Sequence, residues 1–193
     1  MQPRPMPPLI LASSSPRRRH LLQKHGHNFR VCPADVNEIA PPHLSPGEIT
    51  LFNARIKARF ISRQEPSALV LGVDTLVAFE DEVLGKPASM DAAFAMVKRL
   101  NGHTHDVYSG VWLCHEVSGR QRGFIEVTRV HFRTLTDAQL HAYLARIGPL
   151  DKAGSYAAQE DRGELIDSIE GSFSNVIGLP MEALEVALQE FAT

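Results

Sequence analysis

The chain has 193 residues, 44% hydrophobic and 22% charged, with a formal charge of −2. That is the composition of a globular protein, and the near-neutral balance speaks against a basic face made for duplex nucleic acid. Cys32 and Cys114 lie far apart, which suits a reduced, cytoplasmic setting. No apolar run reaches the roughly 20 residues that a membrane span needs.

Residues 1–8 hold four prolines and read as a disordered lead-in to a single domain from residue 9 onward. Leu9-Ile10-Leu11 predicts a short buried strand that stops at Ser13, Ser14 and Ser15. Pro16 suits the first position of a helix capped by Ser15. Arg17, Arg18 and Arg19 open that helix. Orphan backbone N–H groups, the positive dipole end and guanidinium donors together predict an anion site, a phosphate above all.

The first helix should end near Gly26, followed by a short strand over 27–33 and a loop carrying Asp35 and Glu38. Ser45-Pro46-Gly47-Glu48 predicts the start of a second helix. Ile49, Phe52, Ile56 and Phe60 recur along it at helical spacing, with Arg55, Lys57 and Arg59 among them. A buried strand over 69–73 is expected to end on Asp74-Thr75, with further strand and a turn at Glu80-Asp81-Glu82 beyond. Then come a helix over 89–100 and a strand pair over 107–114 and 124–132, the second patterned by Ile125, Val127, Val130 and Phe132. A helix over 136–147 stops at Gly148-Pro149. The stretch 151–163 is a small-residue loop, 165–169 a short strand, 171–180 a run of turn residues and 180–191 a final amphipathic helix. Strands and helices intermix throughout, so the fold class is α/β with a mixed sheet.

Several residues carry chemical potential. Asp74 at a strand end stands where open α/β sheets place ligands, although a turn aspartate reads equally well. Glu38, with Asp35 nearby, offers further carboxylate oxygen for a hard cation. Lys86 in Leu84-Gly85-Lys86-Pro87 is half of a phosphate loop without the full pattern, and a hairpin lysine is the plainer reading. Lys57 reads as part of a solvated basic face. Gln159 has the amide donors and acceptor to read a base edge. His103 and His105 have a zinc-like spacing but no third ligand with sensible spacing.

Taken in order, these pieces resemble the Maf family of nucleoside triphosphate pyrophosphatases. The matching stretches are 11–18 (Leu-Ala-Ser-Ser-Ser-Pro-Arg-Arg), Lys57-Ala58, Gly72-Val73-Asp74-Thr75, Leu84-Gly85-Lys86-Pro87 and Gly102-His103. Further along come Asp151-Lys152-Ala153-Gly154-Ser155-Tyr156, Gly171-Ser172 and Gly178-Leu179-Pro180. The resemblance implies an elongated mixed sheet with flanking helices in two lobes around a cleft, like that of the inosine triphosphate pyrophosphatase group. It implies hydrolysis of a nucleoside triphosphate to the monophosphate and pyrophosphate, keeping such nucleotides out of nucleic acids. A divalent metal goes with that reaction, Mg²⁺ foremost and Mn²⁺ or Co²⁺ as substitutes, with Asp74 and Glu38 as its ligands.

Asp74 matches the family's proton acceptor, and Glu38, Lys57 and Lys86 match positions important for activity. Arg17, Thr75 and Gln159 match positions tied to substrate choice, with Ser13 and Arg18 completing a phosphate cradle. Asp74-Thr75 with Gln159 is similar to the branch acting on dTTP and UTP. A 7-methyl-GTP branch carries Asp-Gln and a glutamate instead. The alternatives are another noncanonical nucleotide as substrate, or a nucleotide-binding regulator of cell division. The family also implies a homodimer, while the net charge and the lack of an apolar span speak against nucleic acid and membrane as partners. Two departures stand out: Glu160-Asp161-Arg162 follows Gln159 where the family commonly has an uncharged, glycine-rich stretch, and Asn53 stands where acidic or charged residues are usual.

Overall fold

Seven strands form one mixed sheet in a computed structural model that describes residues 6–80 and 82–192. In chain order the elements begin with β1 (Leu9–Leu11), α1 (Pro16–Lys24), β2 (Phe29–Val31) and α2 (Pro46–Ser62). Then follow β3 (Leu69–Phe79), β4 (Glu82–Leu84), α3 (Met90–Leu100), β5 (Thr104–His115) and β6 (Arg120–Phe132). The chain closes with α4 (Asp137–Ile147), β7 (Ile166–Glu170), α5 (Phe173–Ile177) and α6 (Met181–Gln189). The strand order is β2-β1-β3-β5-β6-β7, with β4 paired to β3 off that path. β1 runs parallel to both neighbours, setting Leu9 opposite Phe29 and Leu69. β4 on β3 and β7 on β6 are antiparallel. The expected mixed α/β sheet with flanking helices is present. Of the lead-in, residues 1–5 lie outside the described residues, as does Asp81 of the expected turn. The Pro8 carbonyl accepts a hydrogen bond from the Leu69 N–H at 3.0 Å.

The chain divides into two compact units. The first takes Met1–Asp74, Ser109–Glu126 and Gly178–Thr193; the second takes Thr75–Tyr108 and Val127–Ile177.

In the first unit α2 starts as its sequence predicts. Ser45 Oγ accepts from the Glu48 N–H and the Glu48 carboxylate accepts from the Ser45 N–H at 2.9 Å, a complete capping box. Its buried face differs from the expected one. Phe52 and Phe60 are 41% and 39% exposed, while Ile49, Ala54, Ala58 and Ile61 are buried. The reason lies in the glycines opposite. A Cβ on Gly72 of β3 would fall 2.1 Å from the Ala54 carbonyl oxygen, and one on Gly110 of β5 would fall 2.2 Å from the Thr50 carbonyl carbon. The helix backbone thus sits directly on two strands, with alanines at the contact and the phenylalanines turned away. Bulk at the expected positions could not approach so closely.

In the apolar core of the second unit, Val97 and Leu100 of α3 join Leu140, Tyr143 and Leu144 of α4. α4 carries a second capping box, Thr136 with Gln139, and Gly148 ends it in the left-handed region at φ 58°. On β6 the pattern splits between faces: Thr128, Val130 and Phe132 are buried, whereas Ile125 and Val127 are exposed. The two-residue period of a strand requires this, since 125 and 127 cannot share a face with 130 and 132. The turn-rich stretch before α6 contains one short helix, α5, that its sequence did not announce. The Ser172 hydroxyl accepts from the Asn175 N–H at 3.1 Å to start it.

His105 is buried in this core, its Nε2 sharing a hydrogen bond with the Tyr156 hydroxyl at 3.0 Å and its ring set edge-on to Phe132. Burial, helped by the nearby His131, pushes the imidazole from its ordinary 6.5 down to about 3. The native chain therefore holds His105 neutral in a range where the unfolded chain protonates it. Its contribution to stability is complete above about pH 6.5 and declines as the pH falls toward 3. Between pH 6.5 and 5 the decline is about 2 kcal/mol. Denaturant titrations at pH 7 and pH 5 should show that loss in the wild type and not in His105→Gln; equal losses in both would refute it.

Candidate active site

The turn between β1 and α1 is built from its own hydroxyls. Ser15 caps α1 by accepting from the Arg18 N–H at 3.5 Å. Ser13 Oγ accepts from the Ser15 N–H at 3.3 Å and from Arg18 Nη1 at 2.9 Å. Arg18 reaches further. Its Nε donates to the Gly178 carbonyl at 2.9 Å and its Nη1 to the Val73 carbonyl at 3.1 Å. Arg18 thus ties the first turn, the peptide before Asp74 and the approach to α6 into one piece. Burial draws its guanidinium pKa down, against the opposing pull of the Asp74 charge. Arg17 is half-buried on the first turn of the same helix.

Asp74 does not end a strand. β3 runs without interruption from Leu69 to Phe79, because the apolar pattern resumes at Leu76 and Val77. The carboxylate is therefore held in mid-strand, 6% exposed, and its two oxygens are engaged separately. Oδ1 accepts from Lys57 Nζ at 2.8 Å, and Oδ2 accepts from Asn53 Nδ2 at 3.1 Å. Lys57 and Asn53 are one turn apart on α2, the i,i+4 spacing that puts two side chains on one face. Lys57 Nζ also pairs with Glu38 Oε1 at 2.7 Å and donates to the Val73 carbonyl at 3.4 Å. One ammonium thus bridges a buried carboxylate and an exposed one. Lys57 is not part of a solvated face: it is 8% exposed, and the close seat of α2 on β3 carries it inward.

The structure brings Ser13 to Arg18 and gathers Glu38, Lys57 and Asp74, all within the first unit. Asp35 is exposed in the loop before Glu38. Asn53 stands out in the sequence only as a departure from the family pattern, and its contact with Asp74 is what sequence reading missed. Its signal was available: an amide four residues before a lysine, both on the face that carries Ile49 and Ala54.

Thr75, Lys86 and Gln159 belong to the second unit. Thr75 is half-buried beside Asp74 in the chain, and Lys86 is exposed just after β4. The Gly85 carbonyl accepts from the Gly154 N–H at 3.3 Å, joining the lysine loop to the 151–156 stretch. Lys152 acts as a helix stop there, with Nζ donating to the carbonyls of Ile147 and Gly148 at 3.0 and 2.9 Å. Gln159 is exposed in a single 3₁₀ turn, Ala158–Glu160.

Of the charged residues that follow Gln159, Asp161 has a structural role. The buried Asp161 carboxylate accepts from the N–H groups of Leu165 at 2.9 Å and of Gly163 and Ile166 at 3.1 Å each. The aspartate thus closes the loop with its own oxygens.

Among the described residues no group of three or more His, Cys, Asp and Glu side chains gathers as a metal cage, and His103 with His105 forms no such site. Asp74 and Glu38 are the two carboxylates that share one ammonium. A pair of carboxylates completed by water and phosphate oxygens is the usual protein share of a Mg²⁺ site, so the donor set fits. No helix among the described residues is long and apolar enough to cross a membrane.

Comparison with known proteins adds to this geometry. A family model described as Maf-like protein matches residues 8–191. A dTTP/UTP pyrophosphatase of Salinibacter ruber is 45% identical over 180 residues, covering 92% of this chain and 87% of that protein. One of Gloeobacter violaceus is 43% identical over 183 residues, covering 95% of each. One of Pelotomaculum thermopropionicum is 40% identical over 186 residues, covering 96% of this chain and 97% of its own. Among solved structures, a HAM1 protein from Coxiella burnetii superposes with a TM-score of 0.53 at 15% identity, over 96% of this chain and 100% of that one. At that identity the likeness is one of fold.

Proposed function

The chain belongs to the Maf family, and from that premise we propose that it is a nucleoside triphosphate pyrophosphatase hydrolysing dTTP and UTP to the monophosphate and pyrophosphate. The observation that carries the reading is the buried Asp74 carboxylate, with Lys57 on one oxygen and Asn53 on the other. The relatives' shared name supports the choice of substrate.

In this reading a water molecule attacks the α-phosphorus and gives a proton to Asp74. The bond from the α-phosphorus to its bridging oxygen breaks, and pyrophosphate leaves. Lys57, Arg17 and Lys86 stabilise the charge that grows on the phosphate oxygens, and Arg18 braces the turn that presents Ser13 and Arg17. Electrostatic help of this kind is strongest where the groups are already fixed, and Arg18 and Lys57 both grip the Val73 carbonyl. Asp74 and Glu38 would hold a divalent cation, Mg²⁺ in the first place. Such an ion supplies charge neutralisation on phosphate and a more acidic water. Thr75 and Gln159 would choose the base. The same reading carries a cytoplasmic location and a homodimer.

A panel of triphosphates with Mg²⁺ and pyrophosphate detection tests it. We expect kcat/KM for dTTP and UTP to exceed that for purine triphosphates at least about 10-fold, as a pocket built to hydrogen-bond one base rejects others. Preference for 7-methyl-GTP, or no pyrophosphate from any nucleotide, would overturn the substrate reading. Hydrolysis in ¹⁸O-water should place the label in the monophosphate; label confined to pyrophosphate would move the attack to the β-phosphorus.

A further inference from the structure

Asn53 is only 2% exposed, and both ends of its amide are used. Oδ1 accepts from the Ile39 N–H at 2.9 Å. Nδ2 donates to the Ile39 carbonyl at 3.0 Å and to Asp74 Oδ2 at 3.1 Å. The side chain therefore clamps both polar groups of the residue next to Glu38, as a neighbouring strand would, and reaches the mid-strand carboxylate with the same nitrogen. Glu38 lies on an exposed loop with 57% of its side chain in solvent, and its ion pair with Lys57 does not anchor its backbone. Among the hydrogen bonds described, the link from that backbone to Asp74 runs through Asn53.

We propose that Asn53 is a positioning residue for the reaction: it fixes the rotation of the Asp74 carboxylate and holds the Glu38 loop in reach of it. The inference rests on the reading of Asp74 as proton acceptor. With Lys57 on Oδ1 and Asn53 on Oδ2, the carboxylate plane has two fixed points, and loss of either leaves it free to turn. A base must meet its proton within hydrogen-bond reach, so the loss falls on turnover before substrate binding.

The test is a cycle of Asn53→Leu, Asp74→Asn and the double variant, with dTTP and Mg²⁺ and with thermal melting of each protein. Asn53→Leu should lower kcat 10- to 100-fold with KM changed less than about threefold. In the Asp74→Asn background the same substitution should lower the residual kcat less than about threefold, because the group it serves is gone. Asn53→Asp provides a second, isosteric arm. It can still accept from Ile39, but it turns an oxygen toward Asp74 Oδ2 and should lose as much turnover as the leucine variant. If Asn53→Leu does not fold, this arm decides. Asp74→Asn inactive with Asn53→Asp at the wild-type kcat would overturn the inference alone, as would full additivity in the cycle. Wild-type turnover in Asp74→Asn would overturn the reading of Asp74 and the inference with it.

Discussion

Asp74→Asn should lower kcat for dTTP hydrolysis by about 10³-fold, within the range that a positioned general base supplies. Asparagine keeps the shape of the side chain and can still accept from Lys57, so the change removes proton affinity rather than packing. At saturating Mg²⁺ KM should move less than kcat, since the phosphate contacts assigned to Arg17 and Lys86 are untouched and Glu38 keeps its share of the cation. Folding should survive as well. A buried ion pair broken from one side leaves a stranded charge, which usually costs about 3–5 kcal/mol. Here the Lys57 ammonium keeps Glu38 at 2.7 Å, and most of that penalty is avoided. Pyrophosphate release under saturating dTTP, with a thermal melt of the same preparation, checks both halves. A folded variant that turns over at the wild-type rate would remove Asp74 from the mechanism.

The second large effect comes from an added methyl group. Gly72→Ala would place a carbon 2.1 Å from the Ala54 carbonyl oxygen and 2.8 Å from the Ala58 Cβ. Neither contact can be relieved by a rotamer change, so α2 must lift from β3. Overpacking of this kind costs about 3 kcal/mol. In a chain of this length that should appear as a fall in Tm of roughly 6–12 °C. Activity should fall further than stability, because Lys57 and Asn53 travel with the helix while Asp74 stays on the strand. Gly85→Ala is the control for stability: a Cβ there meets nothing within 4 Å, and its Tm should stay within a degree or two of wild type. Equal melting of the Gly72 and Gly85 variants would refute the argument.

Much of the fold is written in local signals. The strand, turn and helix at residues 9–24 follow from an apolar run, a hydroxyl cap and a proline, all decided within a few residues. The two capping boxes are likewise local. What escaped was set by long-range packing. The inward face of α2 could not be read from hydrophobicity, since the glycines that select it lie on β3 and β5. Lys57 looked solvated for the same reason. Asp74 seemed to end a strand because a carboxylate in mid-strand is costly unless it is paired, and its two donors come from another element. The motifs that match the family include Lys57 and Asp74, which the structure brings together; the amide that joins them sat in a helix whose orientation was still unknown.

The two glycine seats under α2 also bear on how this sequence can change over generations. When a new side chain strikes another side chain, a second substitution can trim the obstacle and restore the fit. At Gly72 and Gly110 the obstacles nearest the new carbon are a carbonyl oxygen and other atoms of the peptide chain, which every amino acid carries. No single compensating replacement on the helix can remove them. Phe52 and Phe60, partly exposed on the same helix, face no such bar from the peptide chain of β3 and β5, while these two positions leave almost no room for change.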